Sequence, residues 1–331
     1  MPTSGRGRDD ALYQLVAEIQ TKKADLPAGS NTFRETLESG HFAVTAEITP
    51  PRSASLDALT VAVVALKPAV TAVNLTDGAS ARVRMSSSAA AIHVKQLGIE
   101  PILQVTCRDR NRIALQSDLL GVAAFGVRNV LVLTGDAVEA GDDPDAKPVF
   151  DLDSRQLIAA LGTMSAEGTT MSGSELTSAP EFFPGAADAP FEMPGGWVPD
   201  ALQAKLEAGA RFIQTQYCFD MVLLERYMAR LNDHGLTEKM YFLVGLGPLR
   251  SANGARWMRD NLPGTVMPDG IIRRMEAARD PRAEGISICA ELLQQARDTN
   301  GVAGAHLMAP GLHDEIVEAV ELAGMIGLEG L

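Results

Sequence analysis

From residue 41 onward the chain alternates short apolar, β-branched-rich runs with segments of helical period. The runs cover 42–48, 70–76, 101–106, 129–134, 182–187, 211–216, 240–246 and 304–308. The intervening periodicity predicts helices over 56–67, 86–97, 110–125, 154–163, 198–208, 220–233, 251–261, 284–298 and 312–323. Strands that are each followed by a helix pair in parallel, because only a crossover returns the chain in the same direction. Runs this continuously apolar suit strands covered on both faces. Eight such units close into a (β/α)8, or TIM, barrel over residues 41–331; an open doubly wound sheet competes, and the count of eight favours closure. Residues 1–40 read as an N-terminal helical extension, with Leu12, Leu15, Val16 and Ile19 on one face of a helix over 11–23.

A barrel places its catalytic groups at the C-terminal ends of the strands, where the βα loops form one rim. Those ends carry, in order, Glu47, Thr76 with Asp77, Thr106 with Cys107, Thr134-Gly135-Asp136, Ala187, Gln216, Gly245 to Gly247, and Met308 to Pro310. Two carboxylates, an amide and several hydroxyls thus share one rim.

Composition narrows the partners. With 29 Lys and Arg against 42 Asp and Glu the net charge is −13, which disfavours nucleic acid and anionic membrane surfaces. No apolar run approaches the ~18 residues that span a bilayer, and the first thirty residues hold no signal-peptide core. Three scattered cysteines, Cys107, Cys218 and Cys289, make no disulfide framework. A cytoplasmic protein handling a metabolite is the expectation. The five histidines are scattered, and no metal, dinucleotide or P-loop motif occurs; His306 alternates into the last strand, where a satisfied core histidine is expected.

Glu47 lies in Ala-Glu-Ile-Thr-Pro-Pro-Arg. A carboxylate inside an apolar strand is costly unless it is paired or functional, so it is either bound to Arg52 or another cation, or a working acid. Asp136 follows Gly135 in Leu-Thr-Gly-Asp, a setting that taken singly favours a helix cap or Asx turn over a functional rim carboxylate. The loop over 137–153 is long and acidic, as binding loops often are. Gln214 and Gln216 point the same way under period-2 alternation. Two amides are hard to satisfy in a barrel core, so at least one should meet a polar ligand; Gln216 suits a heterocycle edge with donor and acceptor. Ser86 opens a helix behind Arg82 and Arg84, and serves either as an ordinary cap or in an anion site to which Lys205 adds a cation.

Five stretches, Ala-Glu-Ile-Thr-Pro-Pro-Arg, Asn-Leu-Thr-Asp-Gly, Gln-Val-Thr-Cys-Arg-Asp, Leu-Thr-Gly-Asp and Ala-Gly-Ala-Arg-Phe-Ile-Gln-Thr-Gln, occur in the order and spacing of the methylenetetrahydrofolate reductase family. The resemblance runs from about residue 40 to 325. It is nearest to a branch also found fused behind homocysteine methyltransferase domains, through Ala-Arg-Val-Arg-Met-Ser, Thr-Cys-Arg-Asp-Arg-Asn-Arg and Lys-Pro-Val-Phe-Asp-Leu-Asp-Ser.

The resemblance implies reduction of 5,10-methylenetetrahydrofolate to 5-methyltetrahydrofolate in one-carbon and methionine metabolism, with hydride passing from NADH or NADPH through FAD. It makes Glu47 the general acid, with a pKa raised by burial, Asp136 the carboxylate that stabilises the folate cation, and Gln216 and Gln104 the substrate-side amides. It assigns Thr76, Asp77, Arg82, Arg84, Ser86, Thr134, Ala187 and Lys205 to the cofactor. Asp77, Gln104, Thr134 and the stretch Gly185 to Asp188 replace a Tyr, a His, an Arg and a Tyr-Pro-Glu of better-known members. Two lost charge-assisted contacts at ~1.5–3 kcal/mol each weaken flavin binding, which Arg82 and Arg84 offset. Ala252 stands where a stacking aromatic is usual. Two alternatives therefore stand beside the flavoenzyme: folate reduction with little or no flavin and a partner redox protein as donor, or a folate-binding barrel without catalysis. Oligomeric state is left open.

Overall fold

The computed structural model describes residues 32–325. Its eight strands are β1 (Ala43–Ile48), β2 (Ala72–Leu75), β3 (Glu100–Thr106), β4 (Asn129–Leu133), β5 (Phe183–Asp188), β6 (Phe212–Tyr217), β7 (Tyr241–Leu246) and β8 (Val302–Leu307). They close in sequence order into a parallel barrel, with β8 returning to β1 through the pairs Ala43 with Gly304 and Thr45 with His306. Every apolar run of the sequence became a strand, because helices cover the outer face and side chains fill the lumen.

The helices are α1 (Thr32–Glu38), α2 (Asp57–Leu66), α3 (Ser87–Gln96), α4 (Arg112–Ala124), α5 (Ser154–Gly162), α6 (Asp200–Glu207), α7 (Met221–Asp233), α8 (Ala252–Asn261), α9 (Asp269–Ala277), α10 (Pro281–Asp298) and α11 (His313–Leu322). Local chemistry sets several starts. Asn111 accepts from the Ile113 and Ala114 amides, Asp153 and Gln156 form a capping box, and Asp280 caps α10 with Pro281 in its first turn. That cap starts α10 at residue 281, three residues before the periodicity indicates. Two helices have no counterpart in the periodicity reading, α1 and α9; α1 is seven residues long with two buried side chains, and α9 buries Ile272 and Met275. The expected helix over 11–23 lies outside the described residues.

Helix α1 closes the N-terminal end of the barrel. Phe33 and Leu37 are buried against Ala43, Ala72, Ile102, Leu131, Phe183, Phe212 and Leu243, the first inward side chains of the strands. Phe33 meets Phe212 edge-on at 5.2 Å between ring centroids, and Phe183 stacks on Phe212 at 5.5 Å. Gly185 is required here, since a Cβ would lie 2.2 Å from the Phe212 ring. This floor is mostly apolar, with Glu100 and Asn129 buried at its strand starts and hydrogen-bonded to each other, and the polar layer above it lies toward the C-terminal mouth.

Candidate functional site

The layer above the floor is polar and still buried: Thr45, Asn74, Gln104, Gln214 and His306 are each at most 5% exposed. These groups satisfy one another. Asn74 Nδ2 donates to Gln214 Oε1 (2.6 Å), while Gln214 Nε2 donates to Asn74 Oδ1 and Thr45 Oγ1 (both 3.1 Å). Thr45 Oγ1 lies 3.0 Å from His306 Nδ1 and donates to the Ala305 carbonyl (3.3 Å). The sequence expectation that Gln214 and Gln216 would be hard to satisfy is corrected, because β2, β1 and β8 bring three polar partners to Gln214. Gln216 is also internally held: its Oε1 accepts from the Tyr217 amide (2.9 Å) and its Nε2 reaches the Pro263 carbonyl (3.3 Å). The alternation between them is broken by an irregular register from Gln214 to Tyr217.

Glu47 tops this layer, at the mouth. Its Oε2 accepts from Gln104 Nε2 at 3.0 Å and lies 3.7 Å from His306 Nε2, with the Glu47 side chain 20% exposed and His306 only 3%. Oε1 has no partner among the described residues. Burial pushes this carboxyl up, but the neighbouring His306 ring, with the Gln104 donor, outweighs it and holds Glu47 below the usual glutamate range. The sequence expectation of a raised Glu47 is therefore overturned, and its physical reason is His306, which the sequence reading assigned to the core. Arg52, the cation considered for Glu47, pairs instead with Asp142. A tyrosine missed by the sequence reading, Tyr217, is buried nearby and donates to the Met308 carbonyl; burial and then Glu47 push its phenol up.

Asp136 stands on the rim after β4, where Gly135 takes the left-handed φ of 98°. Its Oδ2 accepts from the Ser80 amide at 2.8 Å. Ser80 and Ala81 are themselves left-handed, at φ 56° and 52°, a costly backbone held by contacts with the 138–140 turn and typical of functional loops. Buried Arg108 ties the same loops together, donating to the Asp136 carbonyl (3.2 Å) and the Gly78 carbonyl (3.2 Å) while clasping Asp109 (2.6 and 2.7 Å). Neither Arg108 nor Arg110 was singled out from the sequence; their signal was a pair of cations immediately after a rim strand.

The remaining expected residues divide by what they touch. Thr76 is buried with its Oγ1 unpaired, as are Arg84 Nε and Ser87 Oγ; all three lie on the connection from β2 to α3. Ser86 caps α3 by accepting from the Ala89 amide (3.2 Å). Asp77 accepts from the Thr106 amide (2.9 Å) and hydroxyl (3.1 Å) and from Arg110, so its charge is compensated within the protein. Lys205 donates to the Ala187 carbonyl at 2.6 Å, joining two expected cofactor residues to each other. Arg82 and Thr134 are exposed. Asp188 ends β5 as a half-buried acid, pushed up by desolvation and accepting from Tyr227 at 2.6 Å.

Among the described residues no cluster of three or more His, Cys, Asp or Glu side chains is arranged to hold a metal ion, and no helix is long and apolar enough to cross a membrane. Chemically, the mouth offers a proton donor or acceptor at Glu47, a second carboxylate at Asp136, and unpaired hydroxyl and guanidinium donors beside β2.

A family model described as methylenetetrahydrofolate reductase matches residues 32–324. A curated relative, the probable methylenetetrahydrofolate reductase (NADPH) of Caenorhabditis elegans, is 24% identical over 254 residues, covering 75% of this chain and 36% of the relative. The chain thus spans about a third of that protein's length. Among solved structures, an uncharacterized protein from Clostridium thermocellum that binds two copies of 5-methyl-5,6,7,8-tetrahydrofolic acid is similar in fold, with a TM-score of 0.59 and 12% identity over 88% of this chain and 96% of that one.

Proposed function

Because the chain belongs to the methylenetetrahydrofolate reductase family, we propose that it reduces 5,10-methylenetetrahydrofolate to 5-methyltetrahydrofolate with NADH or NADPH as reductant. The observation that carries this reading is the environment of Glu47: a carboxylate at the barrel mouth with one oxygen held by Gln104 and His306 and the other without a partner. A general acid needs that arrangement, since the held oxygen fixes the group while the other faces the substrate.

In this reading Glu47 delivers a proton to the folate nitrogen whose bond to the bridging carbon breaks, leaving an electrophilic iminium. Asp136, oriented by the Ser80 amide, supplies the negative charge that stabilises the cation. Gln216 and Gln104 bind the folate by their amides, Gln216 exchanging its long 3.3 Å contact with Pro263 for the pterin edge. The unpaired donors at Thr76, Arg84 and Ser87 fit an acceptor-rich flavin and its pyrophosphate, and with Arg82, Ser86, Thr134, Asp77, Ala187 and Lys205 they would hold FAD. Bound FAD supplies hydride transfer between the nicotinamide and the folate. Asp77 and Lys205 contribute as oriented members of existing hydrogen bonds rather than as free charges. A second reading, with a partner redox protein as donor, draws on Ala252, a small side chain on the seventh connection where the family usually carries an aromatic.

Anaerobic oxidation of NADH and NADPH, dependent on methylenetetrahydrofolate and measured with and without added FAD, tests the proposal. Activity that rises with FAD supports the flavoenzyme. No oxidation under any of these conditions rejects the self-sufficient reductase. Glu47→Gln should lower turnover by about 10²–10⁴-fold with little change in folate KM; full activity in that variant removes Glu47 from its role.

A further inference from the structure

Asp136 is exposed on a rim loop, where a short side chain has several ways to point. A carboxylate that stabilises a cation must be held in one place. Its Oδ2 accepts from the Ser80 amide at 2.8 Å, and Oδ1 has no partner among the described residues. That bond joins the connection from β2 to α3 with the connection from β4 to α5, so it forms only if the two keep a fixed relation. Arg108, on the connection between them, reaches both. Its side chain is 4% exposed. Nη2 donates to the Gly78 carbonyl and Nη1 to the Asp136 carbonyl, each at 3.2 Å. Nε and Nη2 also grip the two oxygens of Asp109 at 2.6 and 2.7 Å, which compensates the buried cation and fixes the plane of its fork.

Both loops are shaped to admit that fork. A Cβ on Gly78 would lie 2.6 Å from Arg108 Nη2, and a Cβ on Gly135 would lie 3.0 Å from the Arg108 Cβ. Gly78, Ser80 and Ala81 take left-handed φ of 56°, 56° and 52°. Two of these residues are not glycine, so the surroundings must hold this backbone. The same turn carries the Ser80 N–H that meets Asp136.

We propose that Arg108 is the positioning residue of Asp136: by holding the Gly78 and Asp136 carbonyls together it places the Ser80 amide that orients the carboxylate at the mouth. The inference rests on the role of Asp136 proposed above and names what keeps it there. A lysine cannot substitute, since one ammonium cannot span carbonyls on two loops while gripping both oxygens of a carboxylate. Arg108 is buried among the loops and acts on the reaction through Asp136 alone.

Two measurements on the full chain test this. The first needs no turnover: amide hydrogen exchange of Ser80, followed by NMR in the wild type, Asp136→Ala and Arg108→Lys. Losing one such hydrogen bond should speed exchange about 2–12-fold in both variants, while the Ala90 amide inside α3, bonded to the Ser86 carbonyl, keeps its rate. A Ser80 rate unchanged in either variant would overturn the proposal. Where Arg108→Lys does not fold, Asp109→Ala leaves Arg108 in place and alters a side chain that is 46% exposed. The same acceleration of Ser80 is expected there, and an unchanged rate again overturns the proposal. The second measurement is a kinetic cycle. Arg108→Lys should lower kcat for folate reduction about 10–100-fold with KM within about twofold. The same change should cost less than about twofold once Asp136 is alanine. Equal losses in both backgrounds would overturn the proposal, since a merely structural role acts in both. If the chain reduces no folate, the reductase reading fails, and Ser80 exchange still judges the positioning role.

Discussion

Replacing Gln214 by Leu tests whether the polar layer behaves as a mutually satisfied network. Leucine is close in volume, so the change removes hydrogen bonds with little change in packing. Asn74 loses both the acceptor at 2.6 Å and the donor at 3.1 Å, whereas Thr45 keeps Ala305 and His306. Each stranded buried group costs about 1–3 kcal/mol, giving about 2–6 kcal/mol. Burying leucine offsets about 1.5–2 kcal/mol of this, for a net loss of about 0–4.5 kcal/mol. Asn74→Leu should cost a similar amount by stranding the Gln214 amide. The double variant removes both partners, and replacing both by apolar groups can be nearly neutral. It should therefore be more stable than the sum of the singles by about 1–3 kcal/mol. Urea unfolding, with the slopes of the four proteins compared, gives the cycle. Additive losses in the cycle would refute the network account.

Three further outcomes follow from other parts of the molecule. Phe33→Ala opens the apolar floor and should destabilise by about 3–5 kcal/mol, read as a lowered denaturation midpoint; a loss under about 1 kcal/mol would show that the floor is not closed by this ring. Cys107, Cys218 and Cys289 are all buried, and burial first among the causes pushes their thiols to about 11, 12 and 12; Ellman's reagent at pH 8 should find no reactive thiol in the folded chain and all three after denaturation. Asp151 is held at about 2 by hydrogen bonds from Arg112. Because its folded value lies below the unfolded one, its contribution is complete above about pH 4 and fades as pH falls toward 2; Asp151→Asn should therefore be less stable than the wild type at neutral pH, flatten the acid limb in that window and converge with the wild type near pH 2, read by urea unfolding across pH.

Much of this protein was legible in its sequence. Eight apolar runs with intervening helical periods determined a parallel barrel, because a strand buried on both faces must be apolar along its whole length and a parallel return needs a crossover. The same pattern placed Glu47, Asp136 and Gln216 at strand ends, hence on one rim. Thr76 and Ser86 were also found at the expected points of the second connection.

Only the tertiary structure decided what those groups contact. Glu47 and His306 are separated by nearly the whole barrel in sequence and become neighbours because closure sets β8 against β1. That contact reverses the effect of burial on the carboxyl, which no reading of β1 alone contains. Gln214 is satisfied because β1, β2 and β8 converge on it across the lumen, and Lys205 is committed to Ala187 because α6 brings its ammonium to that carbonyl. Residue types and their order fix which elements form; the pairing of charges and hydrogen bonds depends on distances that exist only once the barrel has closed.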